Sequence, residues 1–292
     1  MRLFLFFALS LVLHSEVVVA KVSVVSLEEV IRDWDSLQIV DARSESEYQK
    51  NHLPGAVRMD WRDYREEALY LKERVLGVSS GQVLSNPQKI ETLLTGLGLR
   101  EDLPILVYGG ESRWGEEGRI AWNLLYWGAK DVRLLDGGWR TWEMARPKLK
   151  RIHHSKKSFT VKLNPERRIH FRQVKQSTLE KKLIIDVRSD SEFKEQQIPT
   201  ALHFLDKMLY RADGKFPDKN ELEKIIPRIG SAEVFYCAGG VRSALAAVLV
   251  EASFGKVVKN YDGSMWDWKK IPGDFSPGEA LKIILRRSRW IG

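Results

Sequence analysis

The residue whose side chain is best suited to chemistry is Cys237, the only cysteine among 292 residues. It follows the apolar run 234–236 and begins the sequence Cys-Ala-Gly-Gly-Val-Arg-Ser, which leads into the alanine-rich, helix-like segment 244–250. A strand, a glycine-rich turn and a helix start would direct several backbone N–H groups at the thiol. Such groups favour an anion, and here the anion would be the thiolate itself.

We predict Cys237 as a nucleophile and Arg242 as the residue that adds positive charge beside it. The other loop residues would form the substrate cradle: Ala238, Gly239, Gly240, Val241 and Ser243. Glycines permit the backbone conformations that a tight cradle requires. An unpaired cysteine is more often a small buried hydrophobe, but the glycines and the arginine around this one favour a functional thiol.

Composition excludes several other classes of function. One cysteine permits no internal disulfide and no Cys-x-x-Cys metal site, and His153-His154 has no ligand partner at suitable spacing, so we expect neither metal nor cofactor. The net charge of +8 could serve an anionic partner. Its densest basic cluster, within 148–157, lies in an expected linker, which favours a solvated connector over a nucleic-acid surface.

An internal repeat predicts the architecture. The stretch 41–56, beginning Asp-Ala-Arg-Ser, recurs as 186–201, beginning Asp-Val-Arg-Ser. Downstream, the apolar run 105–108 pairs with 234–236, and Leu-Asp-Gly-Gly-Trp at 135–139 pairs with Tyr-Asp-Gly-Ser-Met-Trp at 261–266. Gly109 stands where the second copy has Cys237, so we expect the first copy to be catalytically silent.

The elements around the repeat predict two α/β domains, each with a mainly parallel sheet flanked by helices. Capping-box patterns at Ser26-x-x-Glu29 and Ser177-x-x-Glu180 predict helix starts, and apolar spacing predicts helices at 88–97 and 120–127. Ligands of such folds bind at the carboxyl ends of central strands. We place the first domain at 21–146, a linker at 147–172 and the catalytic domain at 173–292.

Residues 1–20 have the pattern of a secretory signal peptide. Arg2 precedes an apolar run at 3–13 that is too short for a membrane span, and small residues end the segment. We therefore expect a periplasmic or secreted protein without stable membrane insertion after leader removal. A retained N-terminal anchor is the alternative.

Together these motifs resemble the tandem-domain rhodaneses, the thiosulfate and 3-mercaptopyruvate sulfurtransferases. The resemblance covers nearly the whole mature chain and rests on Asp-x-Arg, the His-Leu-Pro-Gly-Ala box, the Leu-Asp-Gly-Gly-Trp turn and the six-residue Cys-x-x-Gly-x-Arg loop. It implies two rhodanese-like domains and a persulfide on Cys237. The substrates would be a small anionic sulfur donor and a cyanide or thiol acceptor. We expect a monomer whose silent domain helps to wall the cleft.

The resemblance also implies roles outside the loop. Arg188 matches a basic residue that binds the anionic substrate, with an ion pair to Asp186 or Glu192 as the structural alternative. Asp186 would support the site, and Trp266 would either wall the pocket or pack in the core. Arg43 in the first copy is expected to be a structural ion-pair partner.

Departures from the family pattern leave the donor open. Thr200 replaces the glycine of the Pro-Gly-Ala box, and Gln197 stands where the first copy has His52. Ala238 and Gly239 occupy positions that are basic in typical thiosulfate enzymes. Mercaptopyruvate enzymes have small residues there but end the loop in threonine, not in arginine.

Two other functions compete with sulfur transfer from thiosulfate. A cysteine phosphatase or arsenate reductase also uses a cysteine–arginine cradle, but its loop has five intervening residues and this one has four. A non-enzymatic, exported persulfide carrier would need the same thiol.

Overall fold

The computed structural model describes residues 20–66, 81–151, 154–155, 157–225 and 229–269. Two α/β units follow one another along these residues, each built on its own parallel sheet. The expected leader lies outside the described residues except for Ala20, as does the end of the second domain beyond Lys269. No helix within these ranges is both long enough and apolar enough to cross a membrane.

The first unit contains a five-stranded sheet with strand order β1-β5-β4-β2-β3. Its elements are β1 Lys21–Val25, α1 Leu27–Asp33, β2 Gln38–Asp41, α2 Glu45–Lys50, β3 Val57–Arg58, α3 Pro87–Gly96, β4 Ile105–Tyr108, α4 Glu116–Trp127, β5 Asp131–Leu135 and α5 Gly138–Ala145. Every residue of β4 is apolar and buried, as expected for a strand whose sheet is covered on both faces.

The second unit contains a four-stranded parallel sheet with strand order β7-β6-β8-β9. Its elements are α6 Phe171–Leu179, β6 Ile184–Asp186, α7 Asp190–Glu195, β7 Leu202–His203, α8 Lys219–Ile225, β8 Val234–Tyr236, α9 Val241–Phe254, β9 Lys259–Asn260 and α10 Ser264–Trp268. Strand β8 is central and fully buried, and it ends one residue before Cys237.

The repeated Asp-x-Arg-Ser stretch has one local structure in both units. The aspartate ends a strand, and the following serine caps the next helix, with Ser44 and Glu47 forming one capping box and Ser189 and Glu192 the other. Each box satisfies N–H groups that a helix start leaves free. The duplicated sequence therefore encodes a duplicated strand-to-helix turn.

Only one of the two predicted capping boxes upstream of the repeat exists. Ser26 caps α1 as expected, but the prediction for Ser177 was wrong. Ser177 lies in the last turn of α6, where its hydroxyl donates to the Gln173 carbonyl, 2.9 Å away. The helix begins earlier, after His170, because serine can bond back to the preceding turn in a helix interior as well as cap a helix.

The two units share an apolar core along α4 and α9. The predicted helix at 120–127 is confirmed as part of α4, which begins four residues earlier, after Gly115. Residues 241–251 of α9 are all buried, so this helix is covered on every side. At the crossing, a Cβ on Gly118 would come within 2.4 Å of the Leu245 Cα, which shows that the two backbones nearly touch.

The connector between the units runs along the first domain. Its exposed members include Lys148, Lys150 and Arg151, in agreement with a solvated basic segment. Farther on, Phe159 is buried, and the Lys162 N–H donates to the Trp127 carbonyl at the end of α4. The second half of the connector is thus packed and not free in solvent.

Candidate active site

Cys237 lies in a closed backbone turn between β8 and α9. Its Sγ accepts a hydrogen bond from the Gly240 N–H at 3.1 Å, and the Ser243 hydroxyl lies 3.5 Å away. Gly240 caps α9 with a φ of 81°, a left-handed conformation that glycine adopts at little cost. Ser264 fixes the base of the loop by accepting the Cys237 N–H at 3.0 Å.

The surroundings of Cys237 favour its thiolate. Burial opposes the charge, but the Arg242 guanidinium, Ser243 and the loop N–H groups outweigh it, so the pKa of Cys237 is lowered from its ordinary value. The side chain is only 1% exposed. The thiolate is therefore stabilised by fixed donors and charge, with little help from water.

Arg242 is held in place by two carboxylates. Its guanidinium forms two 2.8 Å bonds to Glu192 and one of 2.6 Å to Asp206. Burial alone would raise the pKa of Glu192, but Arg242 and Ser189 hold it at about 2. The arginine also lies under Trp114, 5.0 Å from the ring centre. Its orientation is thus fixed before any substrate binds.

The thiol opens into a cleft of about 430 Å³ at the junction of the two domains. The second domain contributes Cys237, Ala238, Gly239, Val241, Arg242 and Trp266. The first domain contributes Trp61, Arg62, Arg65, Trp114 and Glu116. The expectation that the first domain helps to wall the cleft agrees with this lining, and the arginines make the wall suitable for an anion.

The cysteine-free copy has its own occupant at the position of the thiol. Gly109 follows β4 as Cys237 follows β8, and a Cβ built on Gly109 would lie 2.3 Å from the Glu117 carboxylate. Glu117 is buried and accepts a 2.6 Å hydrogen bond from Tyr210 of the second domain. Burial raises the pKa of Glu117 to about 7.

A comparison with protein families identifies the repeated unit. The model described as "Rhodanese-like domain" matches residues 23–145 and again residues 172–271. This chain belongs to the rhodanese-like domain family. The predicted family and the α/β fold with two tandem rhodanese-like domains are both confirmed.

Several rhodanese relatives cover most of the chain. A Mycolicibacterium smegmatis protein named "Putative thiosulfate sulfurtransferase" is 29% identical over 78% of this chain and 86% of its own length. A Saccharopolyspora erythraea protein of the same name is 26% identical over 77% of this chain and 84% of its own. The prediction of a sulfurtransferase enzyme agrees with these names.

A solved rhodanese structure shares the fold. The crystal structure of SseA from Escherichia coli, described with the fold of 3-mercaptopyruvate sulfotransferases, superposes with a TM-score of 0.68. The two sequences are 24% identical, and the match covers 84% of this chain and 99% of SseA. The likeness at this identity concerns the fold.

Arg188 lies apart from the rhodanese cleft. Its guanidinium donates to Asp186 at 2.6 to 3.1 Å and to the Gln196 carbonyl at 2.6 Å, and it is 2% exposed. The first copy repeats this arrangement with Arg43 and Asp41, which confirms the structural ion pair expected there. The Nε and Nη2 groups of Arg188 are engaged inside the domain, and its contact with substrate stays a prediction.

Trp266 satisfies both predicted alternatives. It lines the cleft, and a Cβ on Gly239 would come within 2.3 Å of its ring. The indole therefore packs on the loop and walls the pocket at once. Gly240 and Ser243 lie beneath the thiol, whereas Ala238, Gly239 and Val241 border the cleft.

Sequence reasoning missed several site residues that come from other parts of the rhodanese chain. Arg119 on α4 and Asn260 at the end of β9 both donate to the Gly240 carbonyl, and the indoles of Trp61 and Trp114 form walls. One signal was present for Arg119, a charged residue directly before the apolar stretch 120–127.

Proposed function

We propose that this protein transfers sulfane sulfur from thiosulfate, or a similar anionic donor, to cyanide or a thiol through a persulfide on Cys237. The observation that carries the proposal is the Cys237 thiol held by the Gly240 N–H at 3.1 Å beside Arg242 at the head of an arginine-lined cleft. Such a cradle stabilises both the thiolate and the persulfide anion without a proton donor.

The two half-reactions need no external oxidant or reductant. The Cys237 thiolate attacks the sulfane sulfur of thiosulfate, the S–S bond breaks, and sulfite leaves with the electron pair. Cyanide then attacks the outer sulfur of the persulfide, thiocyanate leaves, and the thiolate is restored. The Gly240 N–H and Arg242 keep their places throughout because both are fixed by the fold.

Different features of the protein favour thiosulfate and 3-mercaptopyruvate as the sulfur donor. The names of the relatives favour thiosulfate, and the Arg62 and Arg65 walls suit a doubly charged oxyanion. The small Ala238 and Gly239, together with the fold of SseA, favour 3-mercaptopyruvate as the alternative. In that case the thiolate takes the donor sulfur as its C–S bond breaks, and the enolate of pyruvate leaves.

Further properties belong to the same proposal. We propose that the first domain is catalytically silent because Gly109 offers no thiol, and that the protein acts as an exported monomer after loss of residues 1–20. The motivating features are the missing cysteine and the leader pattern in the sequence. The N-terminal residue of protein recovered from the producing cell and its mass in solution would test the last two points.

The decisive experiment combines turnover with mass spectrometry on the full mature chain. We expect thiosulfate to add one sulfur atom to the protein and cyanide to remove it as thiocyanate. Cys237→Ala should lose both signals, and 3-mercaptopyruvate in place of thiosulfate identifies the donor. If neither donor yields thiocyanate above the Cys237→Ala background, the proposed enzyme is wrong. A stable persulfide with slow turnover would favour the carrier.

A further inference from the structure

Arg119 connects the cysteine-free domain to the catalytic loop. It lies on α4, and its side chain is completely buried. Its Nη1 donates to the Gly240 carbonyl of the loop at 3.0 Å, and its Nη2 donates to the Gly81 carbonyl at 2.5 Å. One guanidinium thus bridges the loop and a segment of the first domain.

These contacts fix the peptide groups on both sides of Gly240. The Gly240 carbonyl accepts from Arg119 and also from the Asn260 amide at 3.2 Å. The preceding carbonyl, of Gly239, abuts Gly81 so closely that a Cβ there would lie 1.8 Å from the oxygen. The N–H between these two carbonyls is the one that donates to Cys237, so the first domain controls its direction.

The charge around Arg119 is unbalanced without a thiolate. Among the described residues Arg119 forms no ion pair, and its Nε has no hydrogen-bond partner. Burial lowers the pKa of Arg119 to about 10, which leaves it cationic at neutral pH. The negative groups that act on it are Asp262 and Cys237, and Asp262 is already paired with Arg168 at 3.0 Å. Two buried cations thus face one carboxylate, and buried charges require opposite partners.

We propose that Arg119 is a positioning residue of the thiol site, through which the cysteine-free domain clamps the catalytic loop and supplies a second positive charge to the Cys237 thiolate. The inference rests on the proposed role of Cys237 as the sulfur-carrying thiolate. The same charge stabilises the persulfide, which is also an anion. The silent domain is then a working part of the catalytic centre and not only a wall of the cleft.

The test measures the pH dependence of Cys237 alkylation by iodoacetamide in the full chain, read by mass. Cys237 is the only cysteine, so the signal is unambiguous. We expect Arg119→Met to slow alkylation near neutral pH by about tenfold, which corresponds to a rise of one unit in the thiol pKa, with the rate at high pH retained. Arg119→Lys keeps a charge and should lie between Arg119→Met and the unmodified protein.

A matched control separates charge from stability. Arg167 is an equally buried arginine on the connector, paired with Glu251, and Arg167→Met should lower the melting temperature without moving the alkylation profile. If Arg119→Met folds and retains the original profile, Arg119 is only structural and the proposal fails. If that variant does not fold, the alkylation profiles of Arg119→Lys and Gly81→Ala are compared with that of the unmodified protein. The proposal fails if neither profile is shifted.

The outcome is independent of the sulfur donor because alkylation needs none. Arg119→Met could shift the alkylation profile while the unmodified protein forms no thiocyanate. That result would support the role of Arg119 at Cys237 and refute the proposed function. If the unmodified protein is active, we expect Arg119→Met to lower mainly kcat, because the cleft walls that bind the donor are unchanged.

Discussion

Arg242 and Glu117 occupy equivalent positions in the two strand-to-helix turns but carry different chemistry. Each is the second residue of a helix whose cap is a left-handed glycine. In the second domain the charge of the arginine favours the Cys237 thiolate, whereas in the first the carboxyl group fills the space beside Gly109. The two turns therefore differ at this helix position as well as at the residue that follows the strand, Cys237 in one copy and Gly109 in the other.

Glu117 makes the stability of the protein depend on pH. Its pKa is about 7 in the folded state against an ordinary value of 4.5, so the folded protein keeps a proton that the unfolded chain loses between these values. Stability should therefore fall as pH rises through this window, by about 3 kcal/mol in total. Glu117→Gln keeps a neutral partner for Tyr210 and should melt higher than the unmodified protein at pH 8, with little difference at pH 4.5.

Thermal unfolding of both proteins across this pH range measures the effect. The control is Glu116→Gln, which removes the neighbouring carboxylate at the edge of the cleft and keeps Glu117, so the fall in stability with rising pH should persist in this variant. The prediction is wrong if the difference in melting temperature between Glu117→Gln and the unmodified protein stays constant from pH 4.5 to 8. The pKa of Glu117 would then be the same in the folded and unfolded states.

At the scale of elements, the turns that follow α2 and α7 differ in one strained residue. Gly55 adopts a φ of 82°, and Thr200 adopts a φ of 69° at the matching position. A β-branched residue is a genuine outlier in this region. The second turn thus keeps the shape of the first although its sequence departs from it.

The strain predicts opposite effects for reciprocal substitutions. Thr200→Gly should stabilise the protein by about 1 kcal/mol, because relief of the left-handed strain exceeds the entropy that glycine loses on folding. Gly55→Thr should destabilise it by a similar amount. Urea unfolding of the two variants measures both effects, and a lower stability for Thr200→Gly would mean that the threonine side chain makes contacts worth more than its strain.

Elements were more predictable from the sequence than contacts between domains. The repeat located β4 and β8 and the loop at Cys237, because strand, turn and helix start are local patterns. Ser177 misled because the same residue type serves as a cap and as an interior hydrogen-bond donor. The roles of Arg119 and Glu117 could not be found by comparing the copies, because each has a partner in the second domain, the Gly240 carbonyl and Tyr210 respectively.

At the scale of the whole molecule, the crossing of α4 and α9 unites the two domains. Gly118→Ala should place a methyl group 2.4 Å from Leu245 and lower stability by about 1–3 kcal/mol through overpacking. The matched control is Gly96→Ala at the end of α3, where no described atom apart from the backbone of the helix itself and the adjacent residues lies within 4 Å of the new Cβ.

Both variants exchange glycine for alanine in a helix, so their gain in helix propensity cancels in the comparison. Differential scanning calorimetry would show a lower transition for Gly118→Ala and an unchanged or higher one for Gly96→Ala. Equal transitions for the two variants would mean that the helices move apart at negligible cost.

The carboxyl group beside Gly109 also determines how readily the first copy could acquire a thiol. A cysteine introduced at this site would collide with Glu117 at 2.3 Å, and removal of Glu117 alone would leave Tyr210 without its buried partner. Each single substitution disturbs the packing of the first copy, so a thiol at this position requires coupled changes at Gly109 and Glu117. The two copies are therefore not interchangeable as catalytic units, although they share one fold.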